Sequence, residues 1–207
     1  MASVGRTALS TLPSGDGATN PKAFGSGRQP GVLLDRDGTI IVDDGYIGSV
    51  DRVEFITGAL EAITAFNTAA VPVAVVTNQA GVARGMYGIE DVAKVHQFIA
   101  ERLAAVGGWI DAFLFCPYHP DGVVPAFART SEDRKPRPGM ARAAAAALNL
   151  DLAASWVVGD RPEDVGLAEA VGASAIYVGR GSCERPGVLC LPSLGAAAPF
   201  ILERIAG

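Results

Sequence analysis

The sequence predicts an α/β protein of three layers: a Rossmann-like parallel sheet with helices on both faces and no separate cap domain. Three observations carry this. Short, continuously apolar runs recur along the 207-residue chain. Between them lie longer segments with apolar residues at helical spacing. Three of the runs lead straight into a polar residue: Asp35, Thr77 and Asp160. Continuous apolar strands separated by helices are parallel βαβ units covered on both faces, and such sheets build their sites at the carboxyl ends of the strands.

The elements follow in order. Gly, Ser, Thr and Pro make up 15 of the first 30 residues. Such a stretch buries too little apolar area to offset its ordering entropy, so residues 1–28 read as a flexible N-terminal tail before a domain of residues 29–207. Val32-Leu33-Leu34 reads as a strand ending at Asp35, and residues 58–70 as a helix with Leu60, Ile63 and Phe66 on one face. A buried strand at residues 73–76 precedes Thr77. Residues 89–106 form an amphipathic helix and residues 110–115 a strand. Residues 138–150 form an Ala-rich helix whose Pro138 suits a first turn. Residues 156–158, 163–171, 175–178 and 194–205 read as strand, helix, strand and closing helix. There is no internal repeat.

Composition narrows the function. The net charge is -5, with 17 basic against 22 acidic residues; a nucleic-acid partner, which asks for a basic face, is not expected. Cys116, Cys183 and Cys190 are odd in number and widely spaced, so they are no disulfide framework and suit a reducing cytoplasm. There is neither a bilayer-length apolar run nor a signal-peptide core, and a soluble, monomeric cytoplasmic protein is expected.

Four clusters can carry chemistry. In Asp35-Arg36-Asp37-Gly38-Thr39, extended backbone points Asp35 and Asp37 into one site and Arg36 away from it. Two carboxylates this close must differ in role, such as a nucleophile and a proton carrier; a solvated turn is the ordinary structural alternative. Thr77-Asn78-Gln79, with Gly81 and Arg84-Gly85, can hold phosphate oxygens or be a plain polar loop. Arg134-Lys135-Pro136-Arg137-Pro138 puts three cations before a helix N-terminus, an anion site or a solvated basic loop. Asp160, near Asp164, can ligate a hard cation or cap the helix that starts near Pro162.

Taken in order, Asp-x-Asp-Gly-Thr, Thr-Asn-Gln, Arg-Lys-Pro-x-Pro-Gly-Met and Gly-Asp-Arg resemble the four motifs of the haloacid dehalogenase-like superfamily. DRDGTI (35–40), TNQAGVARG (77–85), CPYHPDG (116–122) and RKPRPGM (134–140) are similar to its heptose-1,7-bisphosphate phosphatases and their histidinol-phosphatase relatives. The resemblance implies a phosphomonoester hydrolase of sugar phosphates. Asp35 is then the nucleophile and Asp37 the general acid and base, with Thr77 and Lys135 steadying the phosphoryl group. Mg²⁺ is held by Asp35, the Asp37 backbone carbonyl and Asp160. Asp43, Asp44, Gly45, Tyr46, Asn78, Gln79, Arg84 and Arg134 contact substrate.

The resemblance also implies a zinc site in the loop after Cys116, and here the chain departs from the pattern. Tyr118, Ser131 and Asp133 stand at three of its four ligand positions. Structural zinc needs about four N or S ligands, so none is expected, and the loop must be held by packing through residues such as Tyr118 and Phe127. Histidinol phosphate or other small phosphomonoesters are the near alternative substrates. A non-catalytic sugar-phosphate binder is the alternative of a different class. The retained Asp35, Asp37, Lys135 and Asp160 speak against it, since a binder needs no proton shuttle.

Overall fold

The computed structural model describes residues 27–179 and 187–207, and the backbone of residues 8–10. The elements are β1 (Ala8–Ser10), β2 (Val32–Leu34), α1 (Ala59–Thr68), β3 (Val73–Asn78), α2 (Ile89–Ala104), β4 (Ala112–Cys116), α3 (Gly139–Leu148), β5 (Trp156–Gly159), α4 (Pro162–Val171), β6 (Ser174–Val178), β7 (Leu189–Leu191) and α5 (Leu194–Ala206).

The strands form one sheet in the order β1-β4-β3-β2-β5-β6-β7. Strands β2 to β7 run parallel to one another. Alternation along each central strand feeds two cores. Val32, Leu34, Val73, Val75 and Val158 pack under α1, α2 and α5. Leu33, Ala74, Val76 and Val157 pack under α3 and α4. The three-layer expectation therefore holds, and β2 and β3, buried on both faces, bring Asp35 and Thr77 to the same edge.

Two strands escaped the sequence reading. Ala8–Ser10 pairs antiparallel with β4, Ala8 opposite Phe115, where a tail without structure was expected. The remainder of the expected tail up to residue 26 lies outside the described residues, as does Cys183. Leu189–Leu191 adds a short edge strand beside β6. Helix α3 stops two residues short of the expected 150, because Asn149 takes a left-handed conformation (φ 54°) and closes the last turn. Among the described residues, no helix is long and apolar enough to cross a membrane.

Candidate active site

The loop after β2 begins with Asp35, whose backbone N–H donates to Val158 O at 2.9 Å and ties it to β5. Its side chain is buried. Oδ1 accepts two bonds, from the Arg36 backbone N–H at 2.7 Å and from Lys135 Nζ at 2.9 Å. Oδ2 is left as the oxygen able to face a ligand. Burial pushes the Asp35 carboxyl above its ordinary pKa; Lys135 opposes that shift and the Asp164 charge adds to it.

Gly38 turns the chain directly after Asp37, at φ 79°. A side chain there would run into the carboxylate of Asp160. The glycine therefore serves twice: it permits the turn, and it lets β2 and β5 bring their carboxylates together. Carboxylate oxygens from Asp35, Asp160 and Asp164 lie within 4.8 Å of one another.

The three acids are not equivalent. Asp164 accepts from Lys135 Nζ at 2.6 Å through Oδ1 and from the Arg161 backbone N–H at 3.0 Å through Oδ2, closing the first turn of α4. Capping, weighed as a role for Asp160, thus belongs to Asp164. Asp160 keeps a buried Oδ1 with no hydrogen-bond partner among the described residues. Its carboxyl is pushed up to about 6, first by burial and next by the Asp35 charge, with Arg161 opposing. An orphaned carboxylate oxygen beside Asp35 is a hard oxygen donor set, which fits a divalent hard cation. Asp35 and Asp160 would supply the side-chain ligands.

Lys135 is buried against this cluster. Burial works against its ammonium, but the charges of Asp164 and Asp35 outweigh it and hold its pKa above the ordinary value. Asn78 fixes the lysine backbone: its Nδ2 donates to Lys135 O at 3.1 Å, and its Oδ1 accepts from Lys135 N at 3.0 Å. The Asn78 amide thus clasps β3 to the basic segment.

Gln79 also turns inward. Its Nε2 donates to Asp37 Oδ2 at 2.8 Å and to Thr77 Oγ1 at 2.9 Å, and its Oε1 accepts from Arg36 Nη2 and Tyr87 OH. These four partners use up the hydrogen-bonding capacity of the Gln79 amide. Arg36 is fully buried and pairs with Asp37 through Nε and Nη2, both at 2.9 Å. The sequence reading left Arg36 without a task. The signal available for it was a cation flanked by two carboxylates at a buried strand end.

The cations of the basic segment divide. Lys135 enters the core of the site; the exposed Arg137 reaches Ser131 O and Glu132; half-buried Arg134 reaches Tyr118 O at 3.5 Å. Backbone bonds from Val123 N and Val124 N to Ala83 O, at 2.8 and 3.0 Å, seat Arg84 beside the loop of His119, and Arg134 reaches Tyr118 O in that same loop, so the three share one rim. Arg84 also lies 5.9 Å from the ring of exposed Tyr46. Asp43 accepts from Arg161 Nη2 at 2.6 Å, bridging the loop after β2 to the start of α4, and Asp44 pairs with Arg52. Gly45 and Tyr46 both take positive φ and turn this loop. Arg161, missed by the sequence reading, thus stands over Asp160 and Asp43. In the loop after Cys116, Tyr118 packs against Phe127 at 5.9 Å, Arg129 lies 4.0 Å over the Tyr118 ring, and Ser131 Oγ accepts from Asp133 N at 3.1 Å.

Comparison with known proteins places this geometry. The HAD-hydrolase-like family profile matches residues 133–197. A D-glycero-beta-D-manno-heptose-1,7-bisphosphate 7-phosphatase from Yersinia pestis is 39% identical over 177 residues, covering 86% of this chain and 92% of the relative. The protein of that name from Escherichia coli K12 is 37% identical over 177 residues, covering 86% and 90%. Among solved structures, a D,D-heptose 1,7-bisphosphate phosphatase from B. bronchiseptica, complexed with magnesium and phosphate, matches with a TM-score of 0.74 and 32% identity, covering 84% of this chain and 99% of the other.

Proposed function

The chain belongs to the D-glycero-β-D-manno-heptose-1,7-bisphosphate 7-phosphatase family of HAD-like hydrolases, and from that membership we propose that it removes the 7-phosphate of the heptose bisphosphate through an aspartyl-phosphate on Asp35. One observation carries this reading: a buried carboxylate with one oxygen held by Lys135 and the Arg36 N–H and the other left outward, beside the unpartnered Oδ1 of Asp160.

Asp35 Oδ2 attacks phosphorus as the bond to the sugar oxygen breaks, and Asp37 gives that oxygen its proton. A water then attacks the same phosphorus, Asp37 takes a proton from it, and Asp35 is released with inorganic phosphate. Dividing the hydrolysis this way replaces one hard step by two easier ones. A carboxylate approaching a phosphate meets repulsion of about 4 kcal/mol per unit-charge pair at 4 Å and an effective dielectric constant near 20. Lys135 offsets part of it, and Thr77 donates its hydroxyl to an equatorial oxygen. Mg²⁺, held by Asp35, Asp160 and the Asp37 backbone carbonyl, would neutralise phosphoryl charge when bound. The cationic rim of Arg84 and Arg134 suits the second phosphate, at the far end of the sugar.

The test is a comparison of kcat/KM for heptose 1,7-bisphosphate and histidinol phosphate with Mg²⁺, with the product identified by phosphorus NMR. The bisphosphate should be preferred and the 1-phosphate left on the sugar. A preference for histidinol phosphate, or release of the 1-phosphate, would overturn the assignment.

A further inference from the structure

The polar network behind Asp37 has more order than burial alone requires. Asp37 Oδ2 accepts two bonds, from Arg36 Nη2 at 2.9 Å and Gln79 Nε2 at 2.8 Å. Oδ1 accepts one, from Arg36 Nε at 2.9 Å. A carboxylate oxygen has two lone pairs, so Oδ2 is filled and Oδ1 keeps one. The Gln79 amide has one self-consistent orientation. Its nitrogen meets two acceptors, Asp37 Oδ2 and Thr77 Oγ1, and its oxygen meets two donors, Arg36 Nη2 and Tyr87 OH. Because Thr77 Oγ1 accepts from Gln79, its own proton is free to point elsewhere.

The frame behind these groups is fixed. The two hydrogens of Arg36 Nη2 serve three acceptors, Asp37 Oδ2, Gln79 Oε1 and Ile47 O at 3.0 Å, so one of them is shared. The Tyr87 ring fills a slot where a side chain on either Gly48 or Gly81 would collide with it. Arg36 is wholly enclosed, and its Nη1 has no partner among the described residues. A buried guanidinium left partly unsatisfied is expensive, and packing alone would be served better by an apolar side chain.

We propose that Arg36 and Gln79 are positioning residues. Together they leave Oδ1 of Asp37 as the one oxygen able to exchange a proton with the leaving group or the attacking water, and they turn the Thr77 hydroxyl outward as a donor. The inference rests on the phosphatase reading above. In the first step the proton on Oδ1 passes to the sugar oxygen as its bond to phosphorus breaks and the Asp35–phosphorus bond forms. In the second, Oδ1 takes a proton from water as the water oxygen bonds phosphorus and the Asp35–phosphorus bond breaks. Arg36 touches neither substrate nor reacting atoms; it acts through Asp37.

The decisive experiment is a double-mutant cycle with Arg36→Lys and Asp37→Asn, read as kcat and KM on the heptose bisphosphate. Arg36→Lys keeps the charge and loses the two-pronged contact. It should lower kcat about 10- to 100-fold with KM within about twofold, and less than about twofold further once Asp37 is Asn. With p-nitrophenyl phosphate, whose leaving group needs no acid, Arg36→Lys should still form phospho-Asp35 but release it slowly, so that phosphoenzyme accumulates. An equal loss in the Asp37→Asn background, or loss of phosphoenzyme formation, overturns the proposal. If Arg36→Lys fails to fold, Gln79→Met carries the same cycle and must give the same coupling. Failure of the wild-type protein to form phospho-Asp35 from either substrate defeats the phosphatase reading itself, and the positioning role of Arg36 and Gln79 with it.

Discussion

Lys135 Nζ stands 2.6 Å from Oδ1 of Asp164, closer than its 2.9 Å from Oδ1 of Asp35. The nearer carboxylate is not the proposed nucleophile. Asp164 spends its other oxygen on the Arg161 N–H, so the first turn of α4 anchors the lysine and the lysine in turn holds Asp35. This buried triad carries one positive and two negative charges. A ligand cation beside Asp160 would add positive charge to this cluster.

Lys135→Met should therefore be severe in two ways. It leaves two buried carboxylates without their cation, which typically costs about 3 to 5 kcal/mol. For a chain of this size that is a fall in Tm of about 6 to 20 °C. Turnover should drop below detection at temperatures where the variant is still folded. A variant with wild-type Tm would show that Lys135 does not compensate these acids.

Asp35→Asn should lose turnover and keep the fold. The amide preserves shape and removes the attacking oxygen, so no phosphoenzyme forms. Circular dichroism should overlay on the wild type. Substantial phosphate release from pure, folded Asp35→Asn would remove Asp35 as the nucleophile.

As the proposed Mg²⁺ ligand, Asp160 trades stability for metal affinity. Its carboxyl is pushed up to about 6 from 3.8, chiefly by burial. A carboxyl with a folded pKa above its unfolded value binds protons more tightly when folded. The metal-free protein should therefore gain stability as pH falls from about 7 toward 4, and lose it as pH rises through 6. Asp160→Asn removes the charge; it should stabilise the metal-free protein by about 1 to 3 kcal/mol at pH 7.5 and abolish the response to Mg²⁺. In the wild type, the Mg²⁺ needed for half-maximal activity should rise about tenfold per pH unit below 6. A lower Tm for metal-free Asp160→Asn would contradict this balance.

Much of this was legible in the sequence, for definite reasons. Val32-Leu33-Leu34 and Val73–Val76 are apolar on both faces, so they could only be central parallel strands, and Asp35 and Thr77 had to share an edge. Partner choice was not legible. Asn78 and Gln79 look like phosphate-loop residues in a polar run, but the Lys135 backbone and Asp37, 57 and 42 positions away, claim their amides. Arg36 was hidden for the same reason: local alternation shows that it leaves the site, whereas Ile47, Gln79 and Asp37 decide where it goes. Strand β1 was hidden because a segment rich in Gly, Ser and Thr carries no apolar pattern, and its pairing is supplied by the open edge of β4.

Substrate choice should reside in the rim. Arg134 is half-buried, with one contact at 3.5 Å to Tyr118 O, so its guanidinium retains donors for a ligand. Burial, together with the charges of Arg134 and Arg84, lowers the His119 pKa. The ring is therefore neutral at pH 7, and the rim's charge there comes from the two arginines. Two guanidinium groups match a phosphate by paired N–H bonds, and an imidazole such as that of histidinol phosphate gains nothing from them. Arg134→Ala should then lower kcat/KM for the bisphosphate about 10- to 100-fold, roughly 1.4 to 2.8 kcal/mol of lost transition-state binding, and leave a simple monophosphate within about threefold. Most of the loss should appear in KM, because the second phosphate is bound alike before and during reaction. Equal losses on both substrates would place Arg134 at the transferring phosphoryl group, and the second phosphate would have to be sought elsewhere on the rim.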